Sequence, residues 1–210
     1  MAVDSSQHGR GRASSSRTRT YHHGDLRQAL LDAAQSLLEE RGLEGFTLRE
    51  CARRAGVSHA APAHHFGDAS GLLTAFATAG FRRLSALMQA YRDAAPPGAQ
   101  SQLRAVGRAY IDFAIAHRAQ FQLMFRHDRL SPGDSELGEA GREAAGHLAG
   151  ALSAALAERG VRAEGADFER RLVLAWSAVH GFATLLLEGR LDGARRERSA
   201  ADYAAMFRHV

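Results

Sequence analysis

The sequence predicts an all-α fold, a small N-terminal three-helix head followed by a larger helical body. Three observations predict it. Alanine is abundant, β-branched residues are few, and proline occurs only 4 times in 210 residues, a balance that favours helix over strand. Apolar residues recur at three- and four-residue spacing, beginning with Leu26, Leu30, Ala33, Ala34, Leu37 and Leu38. Between Phe46 and Phe66, two short helical patterns flank Gly56, the arrangement of a helix-turn-helix.

The first helix is expected over 25–41, with Gly42 ending it. Thr47 and Glu50 then have capping-box spacing: the Thr47 hydroxyl accepts from the Glu50 N–H and the carboxylate reaches back. Phe46 and Cys51 are placed for a hydrophobic staple. Leu48, Cys51 and Ala52 form the apolar face of this second helix, and Arg49, Arg53 and Arg54 point outward. Gly56 supplies the left-handed turn, Ser58 is the expected N-cap of the next helix, and Phe66 anchors its end. No acidic residue occurs from Cys51 to Gly67, where two arginines and three histidines do. Such a surface suits phosphates, and the second helix of this motif enters the DNA major groove.

These residues resemble the TetR family of bacterial regulators. The similarity includes Tyr21-His22-His23-Gly24-Asp25-Leu26-Arg27, Phe46-Thr47-Leu48-Arg49-Glu50, Gly56-Val57-Ser58 and His64-His65-Phe66, covering roughly the first third of the chain. By position on the motif, Thr47, Ser58, His64 and His65 are expected at phosphates, and His59, Ala60 and Ala63 nearest the bases. Arg53 and Arg54 are expected at the DNA backbone or in solvent. The chain departs from the family pattern at Ala63, where tyrosine is usual, and at Ala69-Ser70, near which a lysine is frequent. Pro62 removes an N–H from the first turn of the recognition helix and predicts a short or 3₁₀ start.

Asp68 is the expected N-cap of a fourth helix running to about Asp93, with Leu72, Leu73, Phe76, Phe81, Leu84 and Met88 as its apolar stripe. Pro96-Pro97-Gly98 ends it. It would join the head to the body, the lever an allosteric regulator requires. Further helices are expected at Ala99–His117, Ala119–Arg126, Ser135–Arg159, Phe168–Glu188 and about Ala200–Arg208.

Trp176, His180 and Gly181, together with Ala116–Arg126, resemble the C-terminal domain of a TetR subgroup named for its Trp-His-Gly signature. Two readings of the body's large side chains stay open. Tyr110, Phe113, Phe121, Met124, Phe125, Trp176 and His180 either fill a core or line a ligand cavity between helices. An apolar lining implies a small hydrophobic or aromatic effector, with Tyr110 and His180 as polar anchors. The helix Phe168–Glu188 is apolar nearly all round in its second half, and Ser135–Arg159 is rich in Ala and Gly. The two are expected to form a four-helix bundle with a second copy, making a homodimer.

The expected domains are a disordered basic arm at 1–20, the head at 21–67, and a ligand-binding and dimerisation domain at 68–210. The net charge is +4, and all 27 basic residues are arginine. Four arginines against one aspartate fall in the first 24 residues, so the rest of the chain is nearly neutral. Cys51 is the sole cysteine, which excludes an intramolecular disulfide and suggests a core thiol. No secretory run or membrane span is expected, and the protein should be cytoplasmic.

The resulting expectation is a repressor, released from a palindromic double-stranded DNA operator by its effector. The alternatives are a sequence-tolerant architectural DNA binder and, more remotely, an enzyme acting in the helical body. No nucleophile–base pair, metal set or phosphate loop stands out, and Asp112 and His117 do not share a helix face well. No cofactor and no metal are expected.

Overall fold

A computed structural model describes residues 23–191. The basic arm, Tyr21-His22 and the helix expected near Ala200–Arg208 lie outside the described residues. Eight α-helices follow one another among those described: α1 His23–Arg41, α2 Leu48–Ala55, α3 Ala61–Phe66, α4 Ala69–Asp93, α5 Ala99–Ala116, α6 Arg118–Met124, α7 Ser135–Glu158 and α8 Gly165–Leu187. A 3₁₀ turn, His127–Arg129, interrupts the connector between α6 and α7. The all-α expectation holds among the described residues.

Local chemistry sets most helix ends. Gly42 takes φ 68° after α1, and its N–H bonds to the Leu38 carbonyl at 2.9 Å. Asp68 caps α4 by accepting from the Gly71 N–H at 2.8 Å. Asp134 caps α7 in the same way, from Leu137 N–H at 2.8 Å. The expected helix over Ala119–Arg126 is shorter, because the backbone turns away at Phe125 (φ −108°, ψ 10°).

One hydrophobic core runs without a break from the head into the body. Leu30, Leu37, Leu72, Leu84 and Phe113 are all within 1% of full burial. Each large aliphatic side chain so buried contributes about 1.5–3 kcal/mol. In the body, α4, α5 and α7 pack on one another, and α8 lies mainly on α5. The head rests α1 on both α4 and α6.

α4 and α6 are pinned at one point. A Cβ at Gly80 would sit 2.7 Å from Met124 Sδ and 2.8 Å from Gln120 Cγ, so glycine alone lets the helices come this close. The buried Gln120 side chain completes the joint. Its Nε2 donates to the Phe76 carbonyl at 2.8 Å, and its Oε1 accepts from Arg83 at 2.8 Å.

Candidate nucleic-acid interface and ligand cavity

The helix-turn-helix is built as its residues dictate, with three corrections. Thr47 caps α2, its hydroxyl accepting from the Glu50 N–H at 3.2 Å. The Glu50 carboxylate, expected to reach back to Thr47, instead takes two bonds from Arg53, at 2.8 and 2.7 Å. Those bonds hold Glu50 far below the usual carboxylate range, at about 2. Gly56 adopts φ 68°, ψ 30°, and the Val57 N–H closes back on Ala52 O at 3.1 Å, a glycine C-cap.

Ser58 is not the N-cap of the recognition helix. Residues 58–61 form a separate turn closed by Ala61 N–H on Ser58 O at 3.0 Å. Ala60 stands at the cap with helical φ −81° and no side-chain bond. Pro62 is the cause: it sits at the first helical turn, where a missing N–H is tolerated, and its ring is buried. The helix is therefore short, as its proline predicts.

The face this creates is open. Thr47, Ser58, His59, Ala60, Ala63 and His64 are exposed, and His65 is half-buried. The His64 and His65 rings meet edge-on with centroids 5.6 Å apart. Arg27 of α1 lies at the same end of the head, its guanidinium 5.7 Å over the Phe66 ring. Sequence periodicity places Arg27 on the polar side of α1; only the tertiary fold brings it to α3.

Arg54 faces inward rather than outward. Its side chain is 16% exposed, bonded to Ser36 Oγ at 2.8 Å and to Glu40. The carboxylates of Glu40 and Glu50 converge there, so Arg54 ties α2 to α1 and is not available to phosphate. Arg49 and Arg27 remain exposed, with no ion pair among the described residues.

In the body, a cavity of about 700 Å³ lies among α4, α5, α7, α8 and the connector 125–134. Of the expected pocket residues, Tyr110, Met124, Phe125 and Trp176 line it. Phe121 and His180 instead border a second cavity of about 480 Å³, between α6, α8 and the α1 end of the head; Phe125 borders both. Phe113 lines neither. It is fully buried, its ring 5.1 Å from that of His117, so it belongs to the core.

The partition between the cavities is an aromatic cluster. Tyr110 OH and His180 Nδ1 are 2.7 Å apart, and the Phe125 ring stands 4.6 Å from His180. Burial raises the Tyr110 phenol above its ordinary value and lowers the His180 imidazole below its own. Both groups are thus neutral near pH 7. The remaining acid–base candidate is already committed: Asp112 Oδ2 accepts from Tyr91 OH at 2.7 Å and faces Arg108 at 3.4 Å.

Comparison with known proteins agrees with this architecture. Residues 30–76 match the profile of bacterial regulatory proteins of the tetR family, and residues 103–210 match that of the tetracyclin repressor-like C-terminal domain. The HTH-type transcriptional regulator BetI of Burkholderia thailandensis is 40% identical over 89 residues, 42% of this chain and 46% of its own length. The chain thus spans about half the length of the curated relatives it matches. A protein of unknown function from Rhodococcus sp. RHA1 is 38% identical over 90% of this chain and 96% of its own, with a TM-score of 0.74. FadR of Bacillus subtilis, solved with stearoyl-CoA, is similar in fold alone: 14% identity, 85% of this chain and 94% of its own, TM-score 0.66. No helix among the described residues is long and apolar enough to cross a membrane. With its head and the larger part of its body both matched, the chain belongs to the TetR family of bacterial transcriptional regulators.

Proposed function

We propose that the protein is a ligand-responsive repressor, a homodimer whose paired α3 helices hold a near-palindromic operator until a small hydrophobic effector enters the α4–α8 cavity. One observation carries the reading. α4 begins directly behind α3, and the same helix walls the cavity with Phe81, Leu84 and Met88. An effector that favours one setting of α4 shifts the spacing of the two heads, by no more than its differential affinity for the two states.

At the DNA, Thr47, Ser58, His64 and His65 serve as phosphate contacts. His59, Ala60 and Ala63 lie toward the bases, where the alanine methyls suit thymine C5-methyl groups. Arg27 and Arg49 add cations to the same face. Residues 1–20 act as a basic arm, 21–67 as the DNA-binding head and 68–210 as the effector and dimer domain, in the cytoplasm. Dimerisation uses α7 and α8. Leu174 is 68% exposed and Leu185 41% exposed on α8, apolar surface that a second copy would bury.

The test is a salt-controlled mobility shift with palindromes selected from random DNA, run against competitor. A repressor prefers its site by about a thousandfold or more. A ratio near one identifies the sequence-tolerant architectural binder instead. Replacing His64 and His65 by alanine weakens operator binding while light scattering still gives twice the chain mass; a monomer there removes the dimer.

A further inference from the structure

We propose that the larger cavity is made for an apolar molecule that carries no carboxylate, sulfonate or phosphate, and that Gly107 and Gly141 provide its room. The inference rests on the reading of that cavity as the effector site and deepens it by naming the effector's chemistry.

The charge of the lining comes first. The chain holds 27 arginines, and none lines this cavity. The one carboxylate there, Asp134, is already engaged as the cap of α7. His127 is the single basic side chain in the wall, and the Tyr110 hydroxyl is committed to His180. An anionic group drawn in against the apolar wall would find no guanidinium to receive it and would face Asp134 in the same wall, an arrangement that disfavours binding. Fatty acids, acyl thioesters and phosphate esters are disfavoured on this ground. An apolar body loses nothing there. Phe81, Tyr110, Phe125 and Trp176 offer ring faces and edges, and the volume suits a drug-sized molecule.

The glycines come second. Glycine inside a helix is unfavourable, so a mid-helix glycine usually marks a close approach or a special backbone angle. Gly80 is of the first kind, since a Cβ there would strike Met124. Gly107 of α5 and Gly141 of α7 are of neither kind. A Cβ at Gly107 meets nothing within 4 Å, one at Gly141 meets only Phe81 Cζ at 4.0 Å, and neither has positive φ. Both border the cavity, and the space their missing side chains leave belongs to it.

Two probes that differ by one charge test this on the full chain: N-phenyl-1-naphthylamine and its 8-sulfonate. Trp176 is the sole tryptophan and lines the cavity, so energy transfer from it to the naphthyl ring reports binding without DNA. The uncharged probe should bind at least tenfold more tightly than the sulfonate. Gly107→Leu and Gly141→Leu should each weaken it tenfold or more, with an unchanged or higher Tm. If a leucine variant does not fold, Gly107→Ala and Gly141→Ala, which add one methyl in open space, should fold and bind more weakly than the parent. Equal affinity for the sulfonate overturns the proposal. So does unaltered binding in the glycine variants, which would place the probe on the exposed α8 face. Tight probe binding that leaves an operator complex intact removes the effector reading and leaves this inference standing.

Discussion

Arg129 and Glu44, 85 positions apart in sequence, meet with Nη2 2.6 Å from Oε1, joining the connector that walls the cavity to the turn between α1 and α2. The same connector is held from below by Thr74, whose hydroxyl accepts from the Ser131 N–H at 2.8 Å. The two links differ in environment: the Glu44 side chain is 78% exposed, while Thr74 is buried. Glu44→Gln should therefore change stability by less than about 1 kcal/mol. Thr74→Val, which leaves a partly buried N–H without its acceptor, should cost about 1–3 kcal/mol. Urea melts of both variants check the order; a larger loss for Glu44→Gln would reverse it.

The Cys51 thiol should be inert in the native protein. Its Sγ donates to the Leu30 carbonyl at 3.3 Å, and burial pushes the thiol up to about 11. At pH 8, an aromatic disulfide reagent should react at the rate of unfolding and no faster. Reaction at the rate of a free thiol in folded protein would contradict the packing of α2 on α1.

The histidines lowered by burial, His117, His147 and His180, and the carboxylates lowered by arginine hydrogen bonds, Glu40, Glu50, Asp128 and Asp167, give a pH dependence of stability with the same sign, as His180 and Glu50 show. Burial lowers His180 below its ordinary 6.5, so its folded pKa lies under its unfolded one. The stability it contributes is present above about pH 6.5 and is lost as pH falls towards the folded value. Glu50, lowered from 4.5 to about 2 by Arg53, contributes above about pH 4.5 and loses that contribution as pH falls to about 2. Tm should thus decline in two acid steps. Tyr110→Phe, which leaves His180 Nδ1 without its hydroxyl partner, should cost about 1–2 kcal/mol at neutral pH.

Gly56→Ala should destabilise the head by about 1–2 kcal/mol, the cost of a Cβ at φ 68°. A Cβ there meets no neighbour, so the loss is conformational and not steric. Circular dichroism melts of the variant check it, and a neutral result would mean the turn relaxes to another geometry.

Features fixed by near neighbours in the chain were legible in the sequence. The Thr47 and Asp68 caps, the Gly56 turn and the break at Pro96-Pro97-Gly98 all stand where their residues place them. The side chains misread were those whose roles depend on distant partners. Arg54 looks like any outward arginine until Glu40, in another helix, is brought beside Glu50. Ser58 is a good cap by composition, yet the proline four residues on moves the helix start past it. For Phe113, Phe121 and His180, core and cavity both stayed open at the level of sequence, and whether each falls in the core or beside one cavity or the other is a matter of helix rotation that periodicity does not determine.

The joint at Gly80 has a mechanical consequence. Because the two helices touch backbone to side chain there, with Gln120 bolted to Phe76, α4 has no slack in which to slide over α6. Met124 is both the stop at that joint and part of the cavity floor. A displacement of the floor is therefore a displacement of the rod that carries the head, and enlarging Gly80 to alanine should wedge the pair apart with no ligand present.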